Sequence, residues 1–104
     1  LETYHIKDIR SYCQNRCIKI VNEDLNNKEL LPYFRGKYKG YIYMIKVCNN
    51  ILKQNMNIKR HELYNHLKEQ KRTAMYNCKI RGGFSTGLTE CFYDLMNYIS
   101  INEM

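Results

Sequence analysis

Apolar side chains recur every three or four residues near the start of the chain, between residues 3 and 21. This first series consists of Ile6, Ile9, Cys13, Cys17 and Ile20. Such spacing places all of its members on one face of an α-helix. The pattern stops at Asn26 and Asn27, so the sequence predicts a first helix over about residues 3–21, followed by a break.

A second series with the same spacing occupies the middle of the chain. Its members are Tyr41, Met44, Ile45, Cys48, Ile51 and Leu52. Residues 41–47 alone are rich in β-branched and aromatic side chains, which also suits a strand, but the helical spacing continues beyond the length of an ordinary strand. We therefore predict a helix over 39–54. Before it, Pro32 is expected to open a short turn that Gly36 ends.

Two further helices are predicted in the second half of the chain. The first begins near residue 57 and continues towards residue 78, and its apolar face carries Leu63, Tyr64, Leu67, Ala74 and Cys78. Gly82 and Gly83 interrupt it. Ser85 or Thr86 is expected to cap the last helix, whose apolar face carries Leu88, Cys91, Phe92, Leu95 and Ile99.

These elements predict an all-α fold, a compact bundle of four main helices with short connectors and room for a short fifth. A chain of 104 residues makes a single domain, and its start at Leu1 suggests a fragment of a larger protein. The expected core contains Ile6, Ile9, Cys13, Ile45, Cys48, Leu63, Leu67, Phe92 and Leu95.

Positive charge is concentrated in the middle of the chain, which has a net charge of +7 overall. Residues 1–34 contain as many acidic as basic residues, whereas residues 35–81 contain twelve Lys or Arg and two Glu. Residues 82–104 contain three acidic residues and no basic one. A basic block beside a neutral or acidic remainder is typical of proteins that contact a polyanion, and nucleic acid is the commonest such partner.

Two other interpretations of the basic block stay open. Because the composition favours amino acids with AT-rich codons, a lysine-rich face could simply be solvated. An acidic protein or an anionic membrane surface would also attract such a block. The arginines favour nucleic acid, since the planar guanidinium matches phosphates and base edges better than an ammonium does; they are Arg35, Arg60, Arg72 and Arg81.

The expected nucleic-acid-binding residues come from two segments. In residues 33–43 aromatic side chains alternate with cations, so that rings can stack on unpaired bases while cations hold phosphates. In the third predicted helix, cations lie away from the apolar face formed by Leu63 and Leu67. The predicted site consists of Arg35, Lys37, Tyr38, Lys39, Arg60, Lys68, Lys71, Arg72, Lys79 and Arg81.

No catalytic residue, cofactor or small-molecule substrate is expected. Residues 82–89 have the glycine spacing of a phosphate-binding loop, but Leu88 occupies the position of the required lysine. We therefore exclude nucleotide hydrolysis at this loop. A weaker interpretation stays open, in which Arg81 and the start of the last helix hold one phosphate of a nucleic acid.

No metal site is expected either. His61 and His66 are five residues apart, which separates their side chains by about 140° around a helix, whereas a zinc-binding pair needs a separation of four. Cys13 and Cys17 have that separation, but their apolar neighbours favour a place in the core. The five cysteines form no closed disulfide set, and we interpret them as reduced thiols.

The sequence therefore predicts a non-enzymatic, nucleic-acid-binding module of a larger protein concerned with transcription or replication, with DNA preferred to RNA. It would be intracellular, and nuclear in a eukaryote, because no signal peptide or membrane-spanning segment is apparent. The alternative is a protein-interaction or dimerisation module. Its candidate surfaces are a groove lined by Tyr33, Phe34 and Phe84, and a C-terminal stripe with Tyr98 and Ile101.

Overall fold

Four α-helices dominate the part of the chain that the computed structural model describes, residues 1–77 and 82–102. They are α1 (Thr3–Lys19), α2 (Leu31–Lys53), α3 (Arg60–Tyr76) and α4 (Gly83–Ile101). A single π-helical turn, Ile20–Asp24, extends α1. Residues 41–47 are helical, and no strand occurs in the described ranges. The prediction of an all-α bundle with four main helices is confirmed.

The helices pack in a defined order. α1 lies against α2, α2 lies against α4, and α4 lies against α3. α2 and α4 each lie against two other helices, so they form the middle of the bundle. All the apolar residues expected on the first helix are buried, and the predicted core is confirmed except for Ile45, which is partly exposed and packs against the core from its edge.

Helix α2 begins eight residues earlier than predicted. Pro32 lies in its first turn, where the missing N–H would have no helical partner in any case. Gly36 does not end a turn, and the helix continues through it and through Gly40. The prediction was wrong because a glycine can be required by a close contact between helices as well as by a turn.

That close contact is between α2 and α4. A Cβ added to Gly36 would overlap the carbonyl oxygen of Phe84, and a Cβ added to Gly87 would overlap that of Tyr33. A Cβ on Gly40 would lie 2.6 Å from the Sγ of Cys91. The two helices therefore approach through their backbones, and any side chain at these glycines would separate them.

The start of α4 also differs from the prediction. Gly82, with φ of 59°, occupies the N-cap position, and no side chain caps the helix. Thr86 lies one turn inside, where its hydroxyl donates to the carbonyl oxygen of Gly82. Ser85 is likewise inside the first turn and is buried. A capping role for either residue is therefore wrong. The expected extension of α3 to Cys78 lies outside the described residues.

Candidate functional site

The cations expected on the third helix lie along one flank of α3. Counting 100° per residue, Arg60, Lys68, Lys71 and Arg72 fall within a sector of about 120°. Three of them have contacts in the protein. The Arg60 guanidinium donates to the carbonyl oxygen of Ser100 at 2.7 Å, and Arg72 pairs with Glu69 at 3.1 Å.

Lys71 is the third member with a contact. Its Nζ lies 4.9 Å from the ring centroid of Tyr93 on α4, within the range of a cation–π interaction. Lys68 is exposed. The α3 cations therefore share a flank, but half of them bind α4 and one is neutralised by a carboxylate. This arrangement makes α3 a weaker surface for phosphates than its charge suggests.

The aromatic and basic segment, residues 33–43, forms the first half of α2, although the helix was expected to begin only at residue 39. Tyr38 is partly buried and faces α1, beside Cys17 and Val21, so its ring is not freely available for stacking. Lys37 lies over the ring of Tyr33, with its Nζ 5.6 Å from the centroid. The expected site residues Lys79 and Arg81 lie outside the described residues.

The helical form of this segment creates a straight row of cations on α2. We call it the basic stripe; its members are Arg35, Lys39, Lys46 and Lys53. Their separations of four, seven and seven residues keep them within about 40° around the helix axis and extend about 27 Å along it. All four are exposed. Within the described residues none forms a hydrogen bond or ion pair, and α2 contains no acidic residue.

Lys46 and Lys53 were not among the expected site residues. Lys46 follows Lys39 by seven residues and Lys53 follows Lys46 by seven, a spacing that is visible in the sequence. Lys39, Lys46 and Lys53 all lay within the predicted helix, but its start at residue 39 left Arg35 outside it, so the row of four was incomplete. Once the helix extends back to Leu31, all four cations fall on one line.

A cleft opens beside the basic stripe. Its walls are α2 and α3, its floor is α4, and its volume is about 310 Å³. We call it the α2–α3 cleft. The side chains that line it are mostly apolar and amide, with two lysines of the stripe at one wall: Lys39, Ile42, Tyr43, Lys46, Gln70, Thr73, Ala74, Asn77, Ser85, Leu88 and Phe92.

A bridge between Tyr43 and His66 holds α2 and α3 apart at one end of this cleft. The Tyr43 hydroxyl and His66 Nε2 are 2.7 Å apart, and the two rings are nearly parallel at 6.1 Å. The edge of the Phe92 ring meets the same tyrosine from α4. Burial raises the pKa of the Tyr43 hydroxyl, so it is protonated at neutral pH and able to donate.

The four cysteines that the structure describes lie in the apolar core. Cys13, Cys17, Cys48 and Cys91 are free and buried in the core. Burial raises the pKa of each thiol, so these thiols are protonated at neutral pH. In the described ranges no three His, Cys, Asp or Glu side chains are placed to hold a metal ion.

A polar cluster joins α1, α2 and α4 on the side of the bundle away from the cleft. The carboxylate of Asp94 accepts hydrogen bonds from Tyr41 and from Tyr12, the latter at 2.7 Å. Arg16 Nε lies 3.7 Å from the same carboxylate. Because its groups satisfy one another, this cluster is structural, and it was not visible in the spacing of the sequence.

The surfaces expected for a protein partner are partly used within the fold. Tyr98 stacks on Tyr12 with centroids 4.0 Å apart, and its hydroxyl donates to Asp8 at 2.5 Å. Tyr33, Phe34 and Phe84 are each partly buried. Ile101 is 80% exposed. Among the described residues, no helix has the length and apolar character needed to cross a bilayer.

Comparison of the chain with models of protein families, with curated proteins and with solved structures gives no match. The case for a function therefore depends on the geometry above.

Proposed function

We propose that this domain binds nucleic acid through the basic stripe of α2, as an auxiliary module of a larger protein. The supporting observation is the row of four exposed cations on a helix without acidic residues. Cations that are free of internal partners release counterions from a polyanion without first breaking a contact in the protein. The stripe is therefore a better phosphate-binding surface than the flank of α3.

The row suits contacts along a phosphate backbone. Its members are spaced about 6 to 10 Å apart along the helix axis, and lysine and arginine side chains are long enough to adjust to neighbouring phosphates. Such contacts position a protein on nucleic acid and carry little sequence information by themselves. We propose DNA as the preferred polymer.

A salt titration tests this proposal. Neutralising four phosphates gives a slope of log K against log salt of about −3.6 on duplex DNA and about −2.8 on single strands. Replacing Arg35, Lys39, Lys46 and Lys53 with Gln should reduce that slope to near zero. Anisotropy of a labelled 16-mer, measured between 20 and 200 mM salt (roughly the range over which such contacts weaken), gives both slopes.

The α3 flank provides a matched control. Replacing Arg60, Lys68, Lys71 and Arg72 with Gln removes the same four charges from the molecule, so any effect of net charge alone is equal in the two variants. We expect the control to lose about one unit of slope or less, since three of its cations are already engaged. Equal losses in the two variants, or no binding by the original chain at low salt, would refute the proposal.

A protein-interaction module is the second candidate. It has support in two exposed apolar side chains, Ile18 at 58% and Val21 at 49%, which flank a shallow groove beside Tyr38. Light scattering over a wide concentration range tests the dimer form of this proposal. If two copies associate through this groove, the Ile18→Ser variant should no longer form the dimer. An original chain that stays monomeric at all concentrations would exclude self-association.

A further inference from the structure

The α2–α3 cleft has a polar group at its base whose bonding capacity is unused. The Ser85 side chain is 1% exposed, and its Oγ has no hydrogen-bond partner among the described residues. An unpaired buried hydroxyl destabilises a protein, whereas an alanine at the same position would avoid that cost. A ligand that enters the cleft and bonds to Ser85 would recover it.

The lining of the cleft matches one class of ligand. The Tyr43 and Phe92 rings and the side chain of Leu88 provide apolar and aromatic surface, which suits a flat heteroaromatic ring. Gln70 and Asn77 provide amides, and an amide offers both a donor and an acceptor to the edge of a base. This combination of stacking surface and amides is the usual environment of an unstacked nucleobase.

The position and size of the cleft also suit the phosphate and the sugar of a nucleotide. Lys39 and Lys46 of the basic stripe lie on its wall, where an ammonium can hold the phosphate attached to a bound base. The volume of about 310 Å³ lies at the lower end of the range for small-molecule sites, about 300–1,000 Å³. It is therefore a site for one base and its sugar, and too small for a base pair.

We propose that the α2–α3 cleft receives one unpaired base of a nucleic-acid strand whose backbone lies on the basic stripe. This inference rests on the function proposed above and adds a preference for single-stranded or locally unpaired nucleic acid. A strand is favoured over a free mononucleotide because the stripe continues past the cleft in both directions, to Arg35 and to Lys53. Those two cations would have no phosphate to hold if the ligand were a single nucleotide.

The experiment uses 2-aminopurine, a fluorescent base that is quenched when it stacks on aromatic rings. It is placed once in a single-stranded 12-mer, once in the same sequence as a full duplex, and once as the free nucleoside monophosphate. We expect quenching with the single strand, little change with the duplex, and binding of the monophosphate that is at least tenfold weaker than that of the strand.

Two variants connect the signal to the cleft. Ala74→Leu fills the cleft from α3 with a good helix former and should weaken single-strand binding at least tenfold, with duplex binding unchanged. The matched control is Met75→Leu at the next position, which is 54% exposed and outside the lining, and it should have no effect. Ser85→Ala should raise the melting temperature of the free protein and weaken single-strand binding several-fold.

The outcomes separate this inference from the proposed function. Duplex binding that depends on the stripe, together with no quenching and no effect of Ala74→Leu, would overturn the cleft site and leave the proposed function intact. A monophosphate that binds as tightly as the strand would overturn the assignment to a strand. A chain that binds none of the three probes would overturn both proposals.

Discussion

Helix α2 faces α4 and α3 in opposite ways. Towards α4 the contact is made by backbones, because Gly36 and Gly87 leave no side chain between the helices. Towards α3 a gap remains, spanned at one end by the bridge between Tyr43 and His66. The comparison shows how one helix can be fixed tightly on one side while its other side carries an open cleft and free cations.

The largest expected effect comes from adding a side chain at the close contact between α2 and α4. Gly87→Ala puts a methyl group onto the carbonyl oxygen of Tyr33, so α2 and α4 must move apart along their whole contact. Overpacking of this kind costs about 1–3 kcal/mol and occasionally more. We expect a loss of about 3 kcal/mol in the free energy of unfolding, measured by urea denaturation followed by circular dichroism.

Gly83→Ala is the control for helix propensity. Position 83 is on the same helix, one turn before Gly87, but there an added Cβ would lie 3.4 Å from the Cβ of Pro32, an ordinary contact. Alanine in a helix is favoured over glycine by up to about 1 kcal/mol, so this variant should be unchanged or slightly stabilised. Equal destabilisation by both substitutions would contradict the close-contact explanation.

The helices themselves could be predicted from the sequence, because the apolar series have a period that only a helix satisfies. The tight contact could not. Glycine usually marks a turn, and the sequence around Gly36 is equally compatible with a turn or with a close crossing of two helices. The glycines of the tight contact, Gly36 and Gly40 on α2 and Gly87 on α4, are visible in the sequence, but they become informative only when both segments are known to be helical.

At the candidate site, an error in the predicted start of one helix changed which residues were assigned to the site. The segment in which charge is concentrated, residues 35–81, includes all four cations of the basic stripe. Placing the start of the helix at residue 39 left Arg35 outside the line formed by Lys39, Lys46 and Lys53. The contacts of Arg60 with Ser100 and of Lys71 with Tyr93 are between helices, and no spacing within one helix reveals them.

A second, smaller effect is expected at the other end of the contact between α2 and α4. Asp94→Ala removes the acceptor of the Tyr41 and Tyr12 hydroxyls and leaves Tyr41, which is fully buried, with a reduced set of partners. The loss should be about 2 kcal/mol in urea denaturation, within the range for unsatisfied buried groups.

Asp8→Ala is the matched control for a carboxylate that accepts from a tyrosine. Asp8 is exposed and accepts one hydrogen bond, from Tyr98, so its loss should cost about 0.5 kcal/mol, in the range of exposed polar contacts. If Asp94→Ala lowered the free energy of unfolding no more than Asp8→Ala does, the polar cluster would not stabilise the packing of α2 on α4. The close contact at the glycines alone would then account for that packing.

A further effect, confined to alkaline pH, is expected in the contact of α1 with α4. Burial, together with the hydrogen bond to Asp8, raises the pKa of Tyr98 to about 12, whereas a tyrosine in the unfolded chain titrates near 10. The folded state therefore holds this proton more tightly. Its contribution to stability is complete below pH 10 and is lost as the pH rises from 10 to 12.

Tyr98→Phe removes the titrating group, so the free energy of unfolding of the original chain should fall more steeply between pH 10 and 12 than that of the variant. Asp8→Asn keeps an oxygen acceptor but removes the negative charge that helps to raise the pKa of Tyr98, so the fall in that variant should be smaller and should end at a lower pH than in the original chain. Urea denaturation at half-unit steps across this range gives the three curves.

Because Tyr12 and Tyr41 are present in all three proteins, their own raised pKa values cancel in the comparison. Parallel curves for the original chain and Tyr98→Phe would show that the hydrogen bond to Asp8 adds nothing to the packing of α1 on α4.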